Sequence, residues 1–124
     1  MLGTARIVAF GATVDSAKSR AFYESVLGLR FIQEDAFACV FDAGGVQLRI
    51  QKLQSLTPQP HTMLGWSVSS IKDVVTHLAE KGVVMERYGF LEQDERGVWT
   101  SPSGAKIAWL KDPDGNLISV TQPS

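Results

Sequence analysis

The sequence predicts an α+β protein made of two successive β-α-β-β-β modules. Three observations carry that prediction. The same order of strand-like and helix-like segments occurs twice, the spacings within the two copies agree, and a proline-bearing stretch separates them. Val8 lies seven residues before the helix-capping Asp15, and Met63 lies seven before Ser70. Arg49 lies four residues after Gly45, and Ser119 four after Gly115. Equal internal spacing is the trace that a repeated supersecondary unit leaves in a sequence.

In the first copy, Arg6 to Phe10 reads as a short strand. Asp15 caps a helix whose apolar positions Ala17, Ala21, Phe22 and Val26 share one face, and Gly28 stops it. Leu29 to Ile32 and Phe37 to Phe41 follow as strands. Gly44-Gly45 turns the chain into Val46 to Gln51, where apolar and polar residues alternate with period two. Gln54 to Pro60 holds two prolines and little that can pack, so it reads as a linker. In the second copy, His61 to Val68 is the first strand. Ser70, with Asp73 three residues on, starts a helix carrying Val74, Val75, Leu78 and Ala79, which Gly82 ends. Val83 to Arg87 is the expected second strand, and Tyr88 to Gly97 an acidic irregular loop. Ala105 to Leu110 and Leu117 to Thr121 form a hairpin around the turn string Asp112 to Asn116.

At 124 residues the chain suits one domain, with module one at about 1–53, the linker at 54–60 and module two at about 61–124. Its 44% hydrophobic content, 20% charged content and net charge of −1 are near globular averages. No charged tail points to nucleic acid or a membrane surface. The N-terminal MLGTARIVAF lacks the long apolar run of a signal peptide, and no run approaches the ~18 residues of a membrane span. Cys39, the sole cysteine, rules out an internal disulfide and suits a reducing compartment. A soluble cytoplasmic protein without nucleic-acid or membrane partners is therefore expected.

Two segments carry a family likeness. AFYESVLGLRF (Ala21 to Phe31) and LKDPDGNLISVTQ (Leu110 to Gln122) resemble the signature segments of the vicinal oxygen chelate superfamily, the group of glyoxalases, bleomycin-resistance proteins and extradiol dioxygenases. The resemblance implies paired modules forming a half-open barrel with a concave cleft, usually in a homodimer. It also implies, for catalytic members, a divalent metal held from the first and last strand of each module. The matching positions here are Val8, Arg49, Met63 and Ser119. Val8 has no donor atom, Met63 only a thioether, Ser119 a weak neutral oxygen, and Arg49 a fixed positive charge. The expectation is a metal-free site with no cofactor.

Alternation brings further residues onto the face of those four: Arg6, Phe10, Gln47, Gln51, His61, Leu117 and Thr121. By resemblance, Ile107, Trp109 and Lys111 join them. Val8, Gln47, Arg49, His61, Met63, Trp109 and Ser119 are therefore the expected ligand-binding residues, and no catalytic residue is assigned. Trp109 either stacks a planar ring or is core, and Arg49 either pairs with a ligand anion or with an acidic neighbour. His61 and His77 read as surface histidines, Trp66 as core against its helix and Cys39 as a small buried hydrophobe. Tyr88 to Gly97 is either a solvated connection or a lid.

The function that follows is metal-free binding of an aromatic or amphipathic small molecule. The alternative is an enzyme of the same superfamily, a glyoxalase-like lyase or isomerase, a dioxygenase or a thiol transferase, with an atypical metal site or none. A purely structural or regulatory dimer is the third class.

Overall fold

The sequence repeat becomes a repeat of strand order. A computed structural model describes residues 1–124, and the chain divides into two compact units, Met1–Thr57 and Pro58–Ser124. Module one contains β1 (Val8–Thr13), α1 (Ser16–Ala21), β2 (Arg30–Glu34), β3 (Ala38–Ala43) and β4 (Val46–Lys52). Module two contains β5 (Thr62–Ser67), α2 (Ile71–Glu80), β6 (Trp99–Thr100), β7 (Lys106–Lys111) and β8 (Leu117–Gln122). The sheets run β1-β4-β3-β2 and β5-β8-β7-β6. In each, the first strand lies parallel to the last and the remaining pairs are antiparallel.

Both helices start where the capping residues predict. The Asp15 carboxylate accepts from Lys18 N at 3.2 Å, and Ser70 Oγ accepts from Asp73 N at 3.3 Å. These side chains satisfy first-turn N–H groups that have no partner within the helix. The start of α2 is tied down further by Gln122, whose Oε1 accepts from Ile71 N at 3.0 Å.

The first helix departs from the expected continuous α-helix. After Ala21 it widens into a π-helical turn over Phe22–Val26, closed by Leu27 N donating to Phe22 O at 3.0 Å. Ala17 and Ala21 are exposed, and the buried stripe is Ser19, Phe22 and Tyr23. The wider turn lets two consecutive aromatic residues serve the core, with Tyr23 5.8 Å from Phe41.

The core of each module lies between its helix and its sheet. Tyr23, Phe41, Leu48 and Ile50 are fully buried in module one; Val75, Leu110 and Ile118 are their counterparts in module two. Cys39 is buried as expected, and burial, with the neighbouring Glu34, pushes its thiol up to about 11. All three tryptophans lie in module two, and the one cysteine in module one.

Val83 to Arg87 is not a strand. The position of module one's second strand is taken in module two by the two-residue β6, whose Trp99 pairs with Ile107, with an isolated bridge from Gln93 to Trp99. The intervening loop is built by hydrogen bonds. Gln93 Nε2 donates to Glu86 O at 2.9 Å and Gly97 O at 2.8 Å, while its Oε1 accepts from Tyr88 N at 2.7 Å. The Asp94 carboxylate accepts from Arg96 N and Val98 N, each at 2.9 Å. Gly97 sits at φ +89°, where a Cβ would stand 3.0 Å from Met85 Cβ, so only glycine closes this loop without strain. With these bonds made within the loop, the segment gives β7 a single backbone hydrogen bond, from Glu86 N to Trp109 O at 2.8 Å, in place of a strand ladder.

Candidate functional site

In module one, alternation along β4 divides the sheet. Leu48 and Ile50 are buried on the helix side, and Gln47, Arg49 and Gln51 point the other way. The parallel register sets Val8 beside Gln47 and Phe10 beside Arg49, and the antiparallel register sets Val40 beside Arg49. Val8, Gln47 and Arg49 thus share one face, together with Phe10, which is half exposed.

Arg49 is half-buried and belongs to none of the molecule's ion pairs. The nearby carboxylates are committed elsewhere. Asp42 accepts from Gly45 N at 2.7 Å and pairs with Arg30 at 3.2 Å, and Glu34 pairs with Lys52 at 2.6 Å. Asp35 accepts from Phe37 N and Ala38 N, which hold its carboxyl below the usual range, with the Arg49 charge a smaller contributor. The pairing of Arg49 with an acidic neighbour, one of its two expected roles, is not formed.

In module two, the register sets Trp109 opposite Ser119, and Ser119 opposite Gly65. Gly65 approaches so closely that a Cβ there would stand 3.0 Å from Ser119 Oγ. Across three strands the row therefore runs from a bare backbone, through a hydroxyl, to a half-buried indole. Tyr88 meets that indole edge-on at 5.4 Å, and Trp99 lies tilted at 6.3 Å. Phe90, largely exposed, extends the aromatic chain from Tyr88 at 5.7 Å. Such geometries are the favourable ones for rings and hold Trp109 in one orientation.

Beside this row lies a groove of about 380 Å³ lined by Pro58, Pro60, Glu86, Tyr88, Lys111 and Leu117, among others. Lys111 and Glu86, both in its lining, pair at 3.4 Å, and Glu86 N donates to Trp109 O at 2.8 Å. Burial raises the Tyr88 phenol above its ordinary value, and the Glu86 charge adds to that. The groove is open to solvent on one side, and its walls are mainly apolar with a few polar groups.

Not every expected residue joins the row. The ladder shifts register between Thr62 and Leu64, so Met63 stands at a bulge where simple alternation fails. His61 is exposed and precedes β5. Trp66 pairs with Val120 on the helix side and is half-buried. Glu86, Tyr88 and the two prolines were not expected as lining. The sequence signal for them was weak: aromatic residues inside an acidic loop, and prolines that read as linker.

A divalent ion does not fit the four positions that would hold it. Val8 and Arg49 in module one, and Met63 and Ser119 in module two, offer no carboxylate, imidazole or amide oxygen. No three His, Cys, Asp or Glu side chains anywhere are grouped to hold a metal.

Fold and face together define a two-module α+β protein with a groove in its second module. The chain belongs to the Glyoxalase/Bleomycin resistance protein/Dioxygenase superfamily, which it matches over residues 7–120. No functionally curated protein matches it. Among solved structures it is similar to a bleomycin-binding protein complexed with bleomycin, at 20% identity and a TM-score of 0.74, covering 98% of this chain and 100% of that one. It is also similar to lactoylglutathione lyase from Agrobacterium tumefaciens, at 16% and 0.75, covering 96% and 93%. A fosfomycin resistance protein from Listeria monocytogenes gives 14% and 0.76, covering 98% and 94%. No helix is long and apolar enough to cross a membrane.

Proposed function

We propose that this protein binds an aromatic or amphipathic small molecule without a metal ion and without breaking a bond. The observation that carries the reading is the groove of about 380 Å³ beside the braced indole of Trp109. In it a planar ring gains dispersion and burial against Tyr88, Leu117 and the two prolines, one ring away from Trp109, and the Lys111–Glu86 pair offers one donor and one acceptor to fix orientation. Gly65 and Ser119 keep the floor beside the indole low enough for a flat ligand to approach. In module one, Val8, Gln47 and Arg49 are proposed to bind ligand on their own face; in module two, Met63 of β5 and His61, which precedes that strand, are proposed as further contacts.

Support from relatives is of the same kind. A structural neighbour binds bleomycin, so bleomycin and planar amphipathic drugs are the first probes. We also propose a homodimer, which light scattering on the purified protein tests, and a cytoplasmic location.

Titration of tryptophan emission, with melting temperature in parallel, against such a library is the test. Saturable quenching is expected, and it is expected to disappear in Trp109→Leu. A library that moves neither emission nor melting temperature sinks the proposal. Stoichiometric zinc, nickel, manganese or iron in the purified protein would overturn it in favour of the enzyme reading, as would turnover that His61→Ala abolishes.

A further inference from the structure

We infer that the face of module one remote from its helix binds an oxyanion, the carboxylate or phosphoryl group of a small organic molecule, through the Arg49 guanidinium. The inference rests on the small-molecule reading and names a chemical group that the ligand carries.

Met1–Thr57 holds five acidic side chains, and none of them forms an ion pair with Arg49, though the Asp35 carboxylate feels its charge. Asp15 caps α1, Glu24 faces Arg20 at 3.6 Å, Glu34 pairs with Lys52, Asp35 accepts two backbone N–H groups, and Asp42 holds Arg30 and the Gly45 amide. Arg49 alone stands in the middle of the sheet, half-buried, with no ion pair. A cation taken partly out of water and left unpaired costs stability, unless a ligand anion repays it.

The surroundings suit that ligand. Gln47 and Gln51 flank Arg49 two residues away on either side and add neutral donors, while Asp42, opposite Gln47, has its charge paired with Arg30. Val8 and Phe10, both partly exposed, stand on the neighbouring strand as an apolar wall. The planar fork of a guanidinium matches a carboxylate or phosphoryl group with two parallel hydrogen bonds. The superfamily resemblance puts a metal ligand at this position. Here the protein supplies the positive charge itself, as a side chain that needs no ion.

The experiment is an NMR titration of the isotope-labelled full chain with benzoate, phenyl phosphate and phenol at constant ionic strength. Saturable shifts of the Arg49 side-chain Nε–H and the Gln47 to Gln51 amides are expected with the anions and absent with phenol. The anion that binds more tightly identifies the group. Arg49→Gln is expected to weaken anion binding about tenfold or more, since a charge-assisted hydrogen bond is worth at least that factor. Arg49→Lys keeps the charge without the fork, so it weakens binding less and separates loss of affinity from loss of fold. An unmoved Arg49 Nε–H, or wild-type anion affinity in Arg49→Gln, overturns the inference. If the probes shift the Trp109 indole while Arg49 stays silent, this inference fails and the small-molecule reading stands. Silence at both residues counts against both.

Discussion

The two modules share one strand order and spend it differently. Module one keeps a full second strand, β2, and places a lone guanidinium at the centre of its non-helical face. Module two reduces the matching strand to two residues and replaces it with a hydrogen-bonded loop that braces three aromatic rings against Trp109 or one another. Charge is distributed likewise. Met1–Thr57 carries six basic and five acidic residues, Pro58–Ser124 six basic and eight acidic. The lesson is that strand order is set by the helix-side core, which the modules hold in common, and leaves the opposite face free to diverge.

The largest test of that statement is in the common core. Leu48 in β4 and Ile118 in β8 occupy equivalent positions and are each at most 1% exposed. Leu48→Ala and Ile118→Ala are expected to cost about 2–5 kcal/mol each in denaturant unfolding. A cost under about 1 kcal/mol at one of them breaks the equivalence.

A middling effect is expected where the modules differ. Gly97→Ala meets both a left-handed backbone and the Met85 Cβ, and should cost about 1–3 kcal/mol. Amide exchange around Gln93 and Val98 should accelerate, with β7 and β8 little changed. Uniform loss of protection across module two would mean that the loop is part of its core. Smaller again, Asp15→Ala and Ser70→Ala should each cost about 1 kcal/mol, by the same mechanism in both modules.

The smallest effect concerns acid. Three carboxyls lie below their ordinary values, all in module one. Glu34 is held down chiefly by its hydrogen bond with Lys52, Asp35 by the Phe37 amide, and Asp42 by the Gly45 amide with Arg30 next. Each stays ionised in the fold at a pH where the unfolded chain takes up a proton. Their contribution is full above the ordinary values of 4.5 for Glu and 3.8 for Asp, and is lost as pH falls through the lower folded values. Acidification should therefore weaken amide protection in β3 and β4 before β7 and β8, and the opposite order would contradict the assignment.

Much of this was legible beforehand because caps, glycine stops and period-two alternation are local signals. The placement of Trp109 on the face of Ser119 came from the superfamily resemblance, and the register sets the two opposite each other. What escaped depended on nonlocal choices. The apolar run Val83 to Arg87 reads as a strand, yet Glu86 gives β7 a single backbone hydrogen bond and Trp99 takes the pairing. Met63 has the right parity on paper, but the register shift beside it cannot be seen from spacing. The isolation of Arg49 follows from which carboxylates accept backbone N–H groups, and no count of charges reveals that.

Trp66, Trp99 and Trp109 all belong to one module, and Cys39 is buried in the other with its thiol pushed up to about 11. The native chain thus carries two separate reporters, indole emission for the second half and alkylation of a concealed sulfur for the first. Followed side by side during unfolding, without any attached dye, they time the opening of each half independently. A single shared time course would mark the two as one cooperative unit, and two time courses would mark them as separate.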